Sequence, residues 1–578
     1  MTEQRNLILA IVLSVAIILG FQYFYEIPRM QQAQQARQGE AVTDVEQPSP
    51  VTIPGTTEVP AAAGPAIETM LLEKVLERTP RLPLDNGRLF GSMALESGRI
   101  DDVLLSDYRE SIEPDAPNIR LLRPAGLPDS YFAEFGWVAS AEGVALPDKN
   151  TEWRATGGAL GRDSAVELVW DNGDGLTFKR RIAMDADYMF TITREVVNDG
   201  TEPVTLYPYA LISRWGTPET LGYFILHEGP IGVLGDVLNE INYDDLVEDG
   251  KVTLESRGGW LGFTDKYWLV ALVPDQESEI SATFRYSAPD GKPRYQADFV
   301  GRPVTVAPGA SLAVTDRLFV GAKEVNLLDE YAEELGIPLF DRAVDFGWFY
   351  FLTKPMFQIL HFLYTLTGNY GIAILVLTLL IRAVLYPLAN KSYRAMSKMK
   401  QLQPEMMKIR ERFGDDKARM NQELMALYKR EKVNPMSGCL PIIVQIPIFF
   451  SLYKVLFVSI EMRHAPFFGW IKDLSAPDPT SIFNLFGLVP WDPPAFLQIG
   501  ALPILMGVTM WLQQKLNPQP ADPIQARVMM MLPIMFTFLF ASFPAGLVLY
   551  WTWTNILSIA QQWLIMRQMG VSASAPKS

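Results

Sequence analysis

Gly371-Ile-Ala-Ile-Leu-Val-Leu-Thr-Leu-Leu-Ile-Arg-Ala-Val-Leu-Tyr-Pro-Leu388 is apolar enough to cross a bilayer, yet it holds one arginine, Arg382. An ionised guanidinium at such a depth is costly and usually functional. From Arg382 to Asn390 is roughly 12 Å of helix, against a hydrocarbon core of about 30 Å, so simple snorkelling would strain to reach the surface. None of the apolar segments downstream contains an Asp or Glu between its ends. The charge must therefore be met by water or by a visiting carboxylate. Two readings stay open: a structural arginine that caps backbone carbonyls of neighbouring helices or reaches head groups, and a hydrated, positively charged recess inside the membrane.

Working outward, further apolar segments run from about Leu440 to Ile460, Phe496 to Lys515, Val528 to Phe543 and Gly546 to Met566. Each suits a membrane span. With Leu7 to Phe24 at the N-terminus, which comes after Arg5 and is longer than a typical signal core, the expected count is six. The first is read as an uncleaved signal anchor whose N-terminus is cytoplasmic. Between Lys391 and Lys432 the chain is crowded with Lys and Arg, which belong on the cytoplasmic side. Counting spans from the anchor puts that loop on the same side.

This basic loop reads as a helical hairpin: helix up to Phe413, a break at Gly414-Asp415-Asp416, then a second helix through Lys432 that the two aspartates can cap. Met396, Met399, Met406, Met407, Met420 and Met425 give it adaptable apolar surface, which suits varied partners as well as plain hairpin packing. Lys398, Lys400, Lys408, Arg410, Arg412 and Lys417 are its candidate recruitment residues. Anionic lipid and ribosomal RNA both fit that charge.

The first half is built differently. Residues from about Met30 to Ala66 are rich in Gln, Ala, Pro and Thr and cannot bury enough surface to offset ordering entropy, so they read as a tether. From about Pro83 to Phe319 short alternating runs, such as Leu176-Thr-Phe-Lys-Arg-Arg-Ile182 and Tyr188-Met-Phe-Thr-Ile-Thr193, are punctuated by turn clusters such as Asp171-Asn-Gly-Asp-Gly175. That pattern predicts a large antiparallel β-sandwich. Phe346-Gly-Trp-Phe-Tyr-Phe351, with Lys354 and His361, predicts an amphipathic helix lying at the outer membrane interface.

Composition narrows the function. A net charge of −15 argues against a protein that coats nucleic acid. With one cysteine, Cys439, no intrachain disulfide can form, and with His227, His361 and His464 alone no histidine cluster exists at metal-ligand spacing. Neither a cofactor nor a metal is expected, nor an enzyme. Thr378 and Arg382 share a helix face, while Trp551, Asn555, Ser558 and Gln562 form a polar stripe on the last segment. The stripe could line the recess with Arg382, or it could hydrogen-bond neighbouring helices.

Taken together, several stretches resemble the YidC-type membrane protein insertases, relatives of the mitochondrial Oxa and chloroplast Albino proteins. Leu377-Thr-Leu-Leu-Ile-Arg-Ala-Val-Leu-Tyr-Pro-Leu388 is similar to the arginine-bearing span of that family. Leu402-Gln-Pro404 and Glu411-Arg-Phe-Gly-Asp-Asp-Lys417 are similar to its cytoplasmic hairpin. Asn434-Pro-Met-Ser-Gly-Cys-Leu-Pro441 is similar to the start of the next span, and Phe543-Pro-Ala-Gly-Leu-Val-Leu-Tyr550 to the final hairpin. The resemblance covers essentially the full chain.

It implies a multi-domain membrane protein of the Gram-negative inner membrane: a six-span helical bundle with a five-helix insertase core, plus a large periplasmic β-supersandwich. The expected parts are a signal-anchor helix (1–29), a flexible linker (30–80), the β-sandwich domain (81–323), interfacial helices (324–368), and spans at 369–389, 434–461, 496–515, 528–543 and 546–566. The hairpin occupies 390–433, a periplasmic loop 462–495, a cytoplasmic loop 516–527 and a cytoplasmic tail 567–578. The resemblance further implies a hydrophilic groove, open to cytoplasm and lipid and closed toward the periplasm, in which Arg382, Thr378, Tyr550, Trp551, Asn555, Ser558 and Gln562 meet the substrate. Trp551 stands where a tyrosine is common. Lys454 departs from the apolar or aromatic residue expected there, and is read as reaching outward rather than into the groove. Implied partners are nascent membrane proteins, the Sec translocon with its accessory subunits, the ribosome and membrane lipids, around a monomeric core. The competing classes are a solute or ion transporter, for which neither inverted repeats nor acidic coupling residues are evident, and a membrane-tethered carbohydrate enzyme.

Overall fold

The computed structural model describes residues 72–569, apart from 142, 222–224, 414–415, 434–439, 486–488, 490, 492–493, 495–497 and 518–522. The expected signal anchor, most of the linker, the Gly414-Asp415 break, Asn434 to Cys439 and most of the tail fall outside the described residues.

The alternating runs do form strands. Along Leu176–Met184, the side chains of Leu176, Phe178, Ile182 and Met184 are buried, as a period of two demands. Its neighbour Met189–Asn198 pairs antiparallel with it, and on the other side with Ala310–Ala322, from Met189 opposite Phe319 to Asn198 opposite Ala310. Two large sheets result, one 11-stranded and one 9-stranded among the described residues. One exception to the antiparallel expectation is that Arg81–Asp85 pairs in parallel with the short strand Leu160–Gly161, which returns along the sheet edge after a long crossover.

Two arginines tie the sheets together. Arg180 and Arg194 are buried on the inward faces of their strands, between apolar neighbours such as Phe178 and Ile182, and Ile192 and Val196. Arg194 Nη1 donates to Gly136 O and Tyr209 O of the opposite sheet, each at 2.6 Å, and Nη2 pairs with Asp316. Arg180 Nη1 donates to Gly98 O at 2.6 Å, with its guanidinium over the Trp153 ring. Buried charges are tolerated only when bonded in this way.

The helices are α1 (Leu72–Arg78), α2 (Tyr243–Asp249), α3 (Val325–Glu334), α4 (Tyr350–Thr367), α5 (Tyr370–Val384), α6 (Tyr386–Phe413), α7 (Lys417–Arg430), α8 (Leu440–Val458), α9 (Ala501–Leu516), α10 (Pro523–Phe540) and α11 (Ala545–Gln568). α4 forms where an amphipathic helix is expected. Lys354 on its inner side pairs with Asp329 and Asp341 at 2.7 and 2.9 Å, while Phe351, Phe362 and Leu366 are exposed. Gly368 ends α4 in a left-handed conformation, and the Asn369 side chain caps α5 by accepting from Ile372 N.

The expected continuous span 369–389 is broken. α5 and α6 meet at 70° around Leu385, whose ψ is 0°. Pro387 supplies the reason, since it has no N–H to donate and its ring would collide with the carbonyl of Ala383 in a continuous helix. The hairpin thus starts at Tyr386 rather than at 390. Asp416 caps α7 by accepting from Arg419 N, and an ion pair between Arg430 and Glu405 at 2.9 Å joins its two arms.

Among the described residues, no single helix is long and apolar enough to cross a membrane; α5 and α6 qualify only as a bent pair. Shortness is one cause: α9 has 16 residues, about 24 Å at the helical rise. Polarity is the other, because α11 carries Asn555, Ser558, Gln561 and Gln562. Packing between these helices is close where small residues allow it. A Cβ on Gly507 of α9 would lie 2.0 Å from Thr537 Oγ1 of α10.

Candidate functional site

Arg382 sits in the last turn of α5, immediately before the bend. Its Nη2 donates to Ser558 Oγ at 2.7 Å and to Thr554 O at 3.2 Å, both on α11. Ser558 Oγ in turn donates to Thr554 O at 2.7 Å. The charge is therefore met by neutral oxygens of its own chain, which corrects the expectation that only water or an incoming group could serve. No carboxylate among the described residues forms an ion pair with it, and the side chain remains half-exposed. The arginine thus caps a carbonyl of a neighbouring helix, as the first of the two readings has it.

Thr378 lies on the same face but is buried, and its hydroxyl is spent inside its own helix on Ile374 O at 2.6 Å. Such back-bonding is what a threonine does in an apolar helix, where no water competes for the hydroxyl.

The stripe on α11 does not act as a unit. Asn555 Nδ2 donates to Thr509 Oγ1 of α9 at 3.1 Å, and Gln562 Nε2 donates to Asn517 Oδ1, just past α9, at 3.1 Å. Those two side chains are engaged in hydrogen bonds that tie α11 to α9 and the residue just past it. Ser558 lies about 60° round the helix from Asn555, enough to turn it from α9 toward α5. Trp551 packs edge-on against Phe449 of α8 with centroids 4.8 Å apart, and against Phe540 of α10 at 5.1 Å. It belongs to an aromatic cluster rather than to the arginine. Tyr550 is buried, and its hydroxyl accepts from Gln445 Nε2 of α8.

Thr554 and Gln445 were not legible as partners. Thr554 contributes through a backbone carbonyl, which every residue has, and Gln445 is a lone polar residue in an apolar run. The only hint of the first was that Thr554 and Ser558 stand at i and i+4 on one helix face.

On α8, Ile443, Ile446 and Phe450 are exposed, as are Met531, Ile534 and Phe538 on α10. In the hairpin, Lys398, Lys408 and Arg412 are exposed, whereas Lys400 and Arg410 are half-buried, and burial pushes the Lys400 ammonium down from its ordinary value. The side chain of Lys417 is outside the described residues. Lys454 turns away from Arg382 altogether, as expected, toward Asp345 at 2.9 Å.

Sequence comparison places the whole chain. Residues 81–359 match the YidC periplasmic domain family, and residues 362–572 match the 60Kd inner membrane protein family. A membrane protein insertase YidC from Beijerinckia indica is 50% identical over 98% of this chain and 96% of its own length. One from Nitrobacter hamburgensis is 51% identical over 99% of this chain and 96% of its own. A solved structure described as an active YidC insertase with the first transmembrane domain resolved aligns with 83% of this chain and 94% of its own, at 18% identity and a TM-score of 0.36. With a periplasmic-domain match over the β-sandwich, an inner-membrane match over the helices, and half of all residues identical along nearly the full length, the chain belongs to the family of the membrane protein insertase YidC.

Proposed function

We propose that this protein moves nascent transmembrane segments from the cytoplasm into the inner membrane through a hydrated groove around Arg382. The arrangement that carries the reading is a guanidinium held by Ser558 Oγ and Thr554 O, with no ion-paired carboxylate among the described residues. A visiting carboxylate at 4 Å gains about 4 kcal/mol at an effective dielectric of 20. The charge-assisted hydrogen bonds it must loosen are worth ~1.5–3 kcal/mol each. Loosening one of the two leaves the exchange favourable by a small margin and loosening both brings it near balance, so the acidic group is held only transiently.

In this reading six spans, including the N-terminal anchor, place both termini in the cytoplasm and the β-sandwich in the periplasm. The basic hairpin α6–α7 receives the nascent chain beside the ribosome and anionic lipid. Arg382 then draws the acidic residues of the substrate's short tail, and the substrate's apolar helix moves over the exposed faces of α8 and α10 into lipid. Burying about twenty apolar residues supplies the driving force. The groove shortens the dry path of the polar tail, whose desolvation is the barrier. No covalent step is involved. The same groove works alone or beside the Sec translocon, and assists folding of its clients.

The test is protease protection of a single-span protein with an acidic N-terminal tail, added to liposomes with and without the purified protein. Protection that depends on the protein is the expected result. Protection equal in both sets of liposomes would remove the autonomous insertase reading.

A further inference from the structure

Lys454 is the one charged residue of α8, and the insertion path makes no use of it. Its ammonium has three N–H donors, and the structure gives each an acceptor: Asp345 Oδ2 at 2.9 Å, Asp345 O at 3.0 Å, and Ile225 O. Only about 13% of the side chain is exposed.

The partner carboxylate is equally engaged. Asp345 Oδ1 accepts from Gly347 N at 2.9 Å, and Oδ2 accepts from His227 N at 3.1 Å as well as from Lys454. Gly347 adopts φ +70°, and a Cβ there would meet Lys454 Cε at 3.0 Å, so the glycine opens the lane through which the lysine extends. One ammonium thus joins three stretches of chain far apart in sequence: the outer end of α8, the β-sandwich loop at 225–227, and the segment leading into α4.

We propose that Lys454 is a positioning residue that fastens the periplasmic β-sandwich to the outer end of α8, so that domain and helix move as one body while substrates pass on the cytoplasmic and lipid sides. The proposal rests on the insertase reading for its consequence and on geometry alone for the fastening. An ion pair in this setting is well suited to the task. It is costly to leave half-made, because removing the ammonium strands a shielded carboxylate, and it is directional, because three acceptors fix the nitrogen in space. α8 also bears Ile443, Ile446 and Phe450, so its orientation decides what surface a client meets.

Other contacts cross the same junction. Val325 N donates to Glu461 Oε1 at 3.0 Å, Arg463 Nη2 to Arg109 O at 2.6 Å, and Lys266 Nζ stands 4.0 Å over the Phe457 ring. If these sufficed, Lys454 would be dispensable, and a distance measurement across the junction decides that.

Full-length protein carrying Cys439→Ser, with spin labels at Lys292→Cys on the sandwich and Ser542→Cys on the turn between α10 and α11, is placed in lipid nanodiscs. Its inter-label distances are measured, and insertion is assayed on the same preparations. The parent is expected to give one narrow distribution, Lys454→Met a broad one with slower insertion, and Lys454→Arg a narrow one with insertion retained. A Lys454→Met distribution as narrow as the parent's overturns the fastening. A broad distribution with insertion at the parent rate overturns the positioning role. Should the parent itself insert nothing, the insertase reading fails, and the distances still decide whether Lys454 fastens the domain.

Discussion

The Arg382 guanidinium donates to the Ser558 hydroxyl across 2.7 Å, and that hydroxyl donates its own hydrogen bond to Thr554 O of the same helix. A neutral relay thus holds a cation in place without cancelling it. The arrangement separates positioning from charge, and the two can be tested apart.

Arg382→Ala removes the cation and is expected to lower insertion of acidic-tailed clients roughly tenfold or more, the equivalent of a charge-assisted contact of ~1.5–3 kcal/mol. Ser558→Ala deletes a competing acceptor and leaves Thr554 O in place, so insertion should be kept or raised. Initial rates of protease protection in proteoliposomes measure both.

Asn555 and Thr509 form a buried bond between α11 and α9. A double-mutant cycle with Asn555→Ala and Thr509→Ala is expected to give a coupling of about 0.6 kcal/mol in reversible unfolding in lipid, typical of such pairs in membranes. The ratio of insertion rates for acidic and neutral tails should stay unchanged, because neither residue touches Arg382.

Gly507→Ala would set a Cβ 2.0 Å from Thr537 Oγ1, and is expected to cost about 1–3 kcal/mol by forcing α9 and α10 apart. Adding Thr537→Ala removes the obstructing atom and should restore most of the loss, read as the unfolding midpoint.

Glu461 lies in the turn beyond α8, with Oε1 accepting from Val325 N and Oε2 shielded from solvent without a partner. Burial pushes its carboxyl up to about 7 from 4.5, with nearby Glu324 adding to the effect. A raised folded value means that the stabilisation is complete below the ordinary carboxylate range and is lost as pH rises through about 7. Thermal stability should therefore fall from pH 5 to pH 8. Glu461→Gln should flatten that part of the profile and exceed the parent at pH 8.

The β-sandwich was legible because a strand advertises burial every second residue, and Leu176–Met184 obeys that rule along its length. The parallel edge pair was not, since two-residue strands carry no period. The hairpin's capping Asp416 was readable from its place before a helical run. The break at Leu385 could have been read from Pro387, but the uninterrupted apolar stretch around it argued for one straight span. For the polar stripe of α11 the sequence supplied the residues and the helix, but not the neighbours, so Asn555 and Gln562 could not be separated from Ser558.

By itself the sequence determined the division into a β-rich half and a helical half, the concentration of Lys and Arg in the helical hairpin, and the presence of an arginine with no acidic residue inside the apolar segments. Each comes from local chemistry, periodicity or charge, which needs no partner to be recognised. Only the tertiary structure decided which polar groups meet. Whether Ser558 faces Arg382, whether Asn555 faces Thr509, and whether Lys454 reaches Asp345 depend on how helices are rotated and packed against elements distant in the chain. A helix fixes only the angles between its own residues; its rotation about its axis is set by the sum of many apolar contacts with its neighbours.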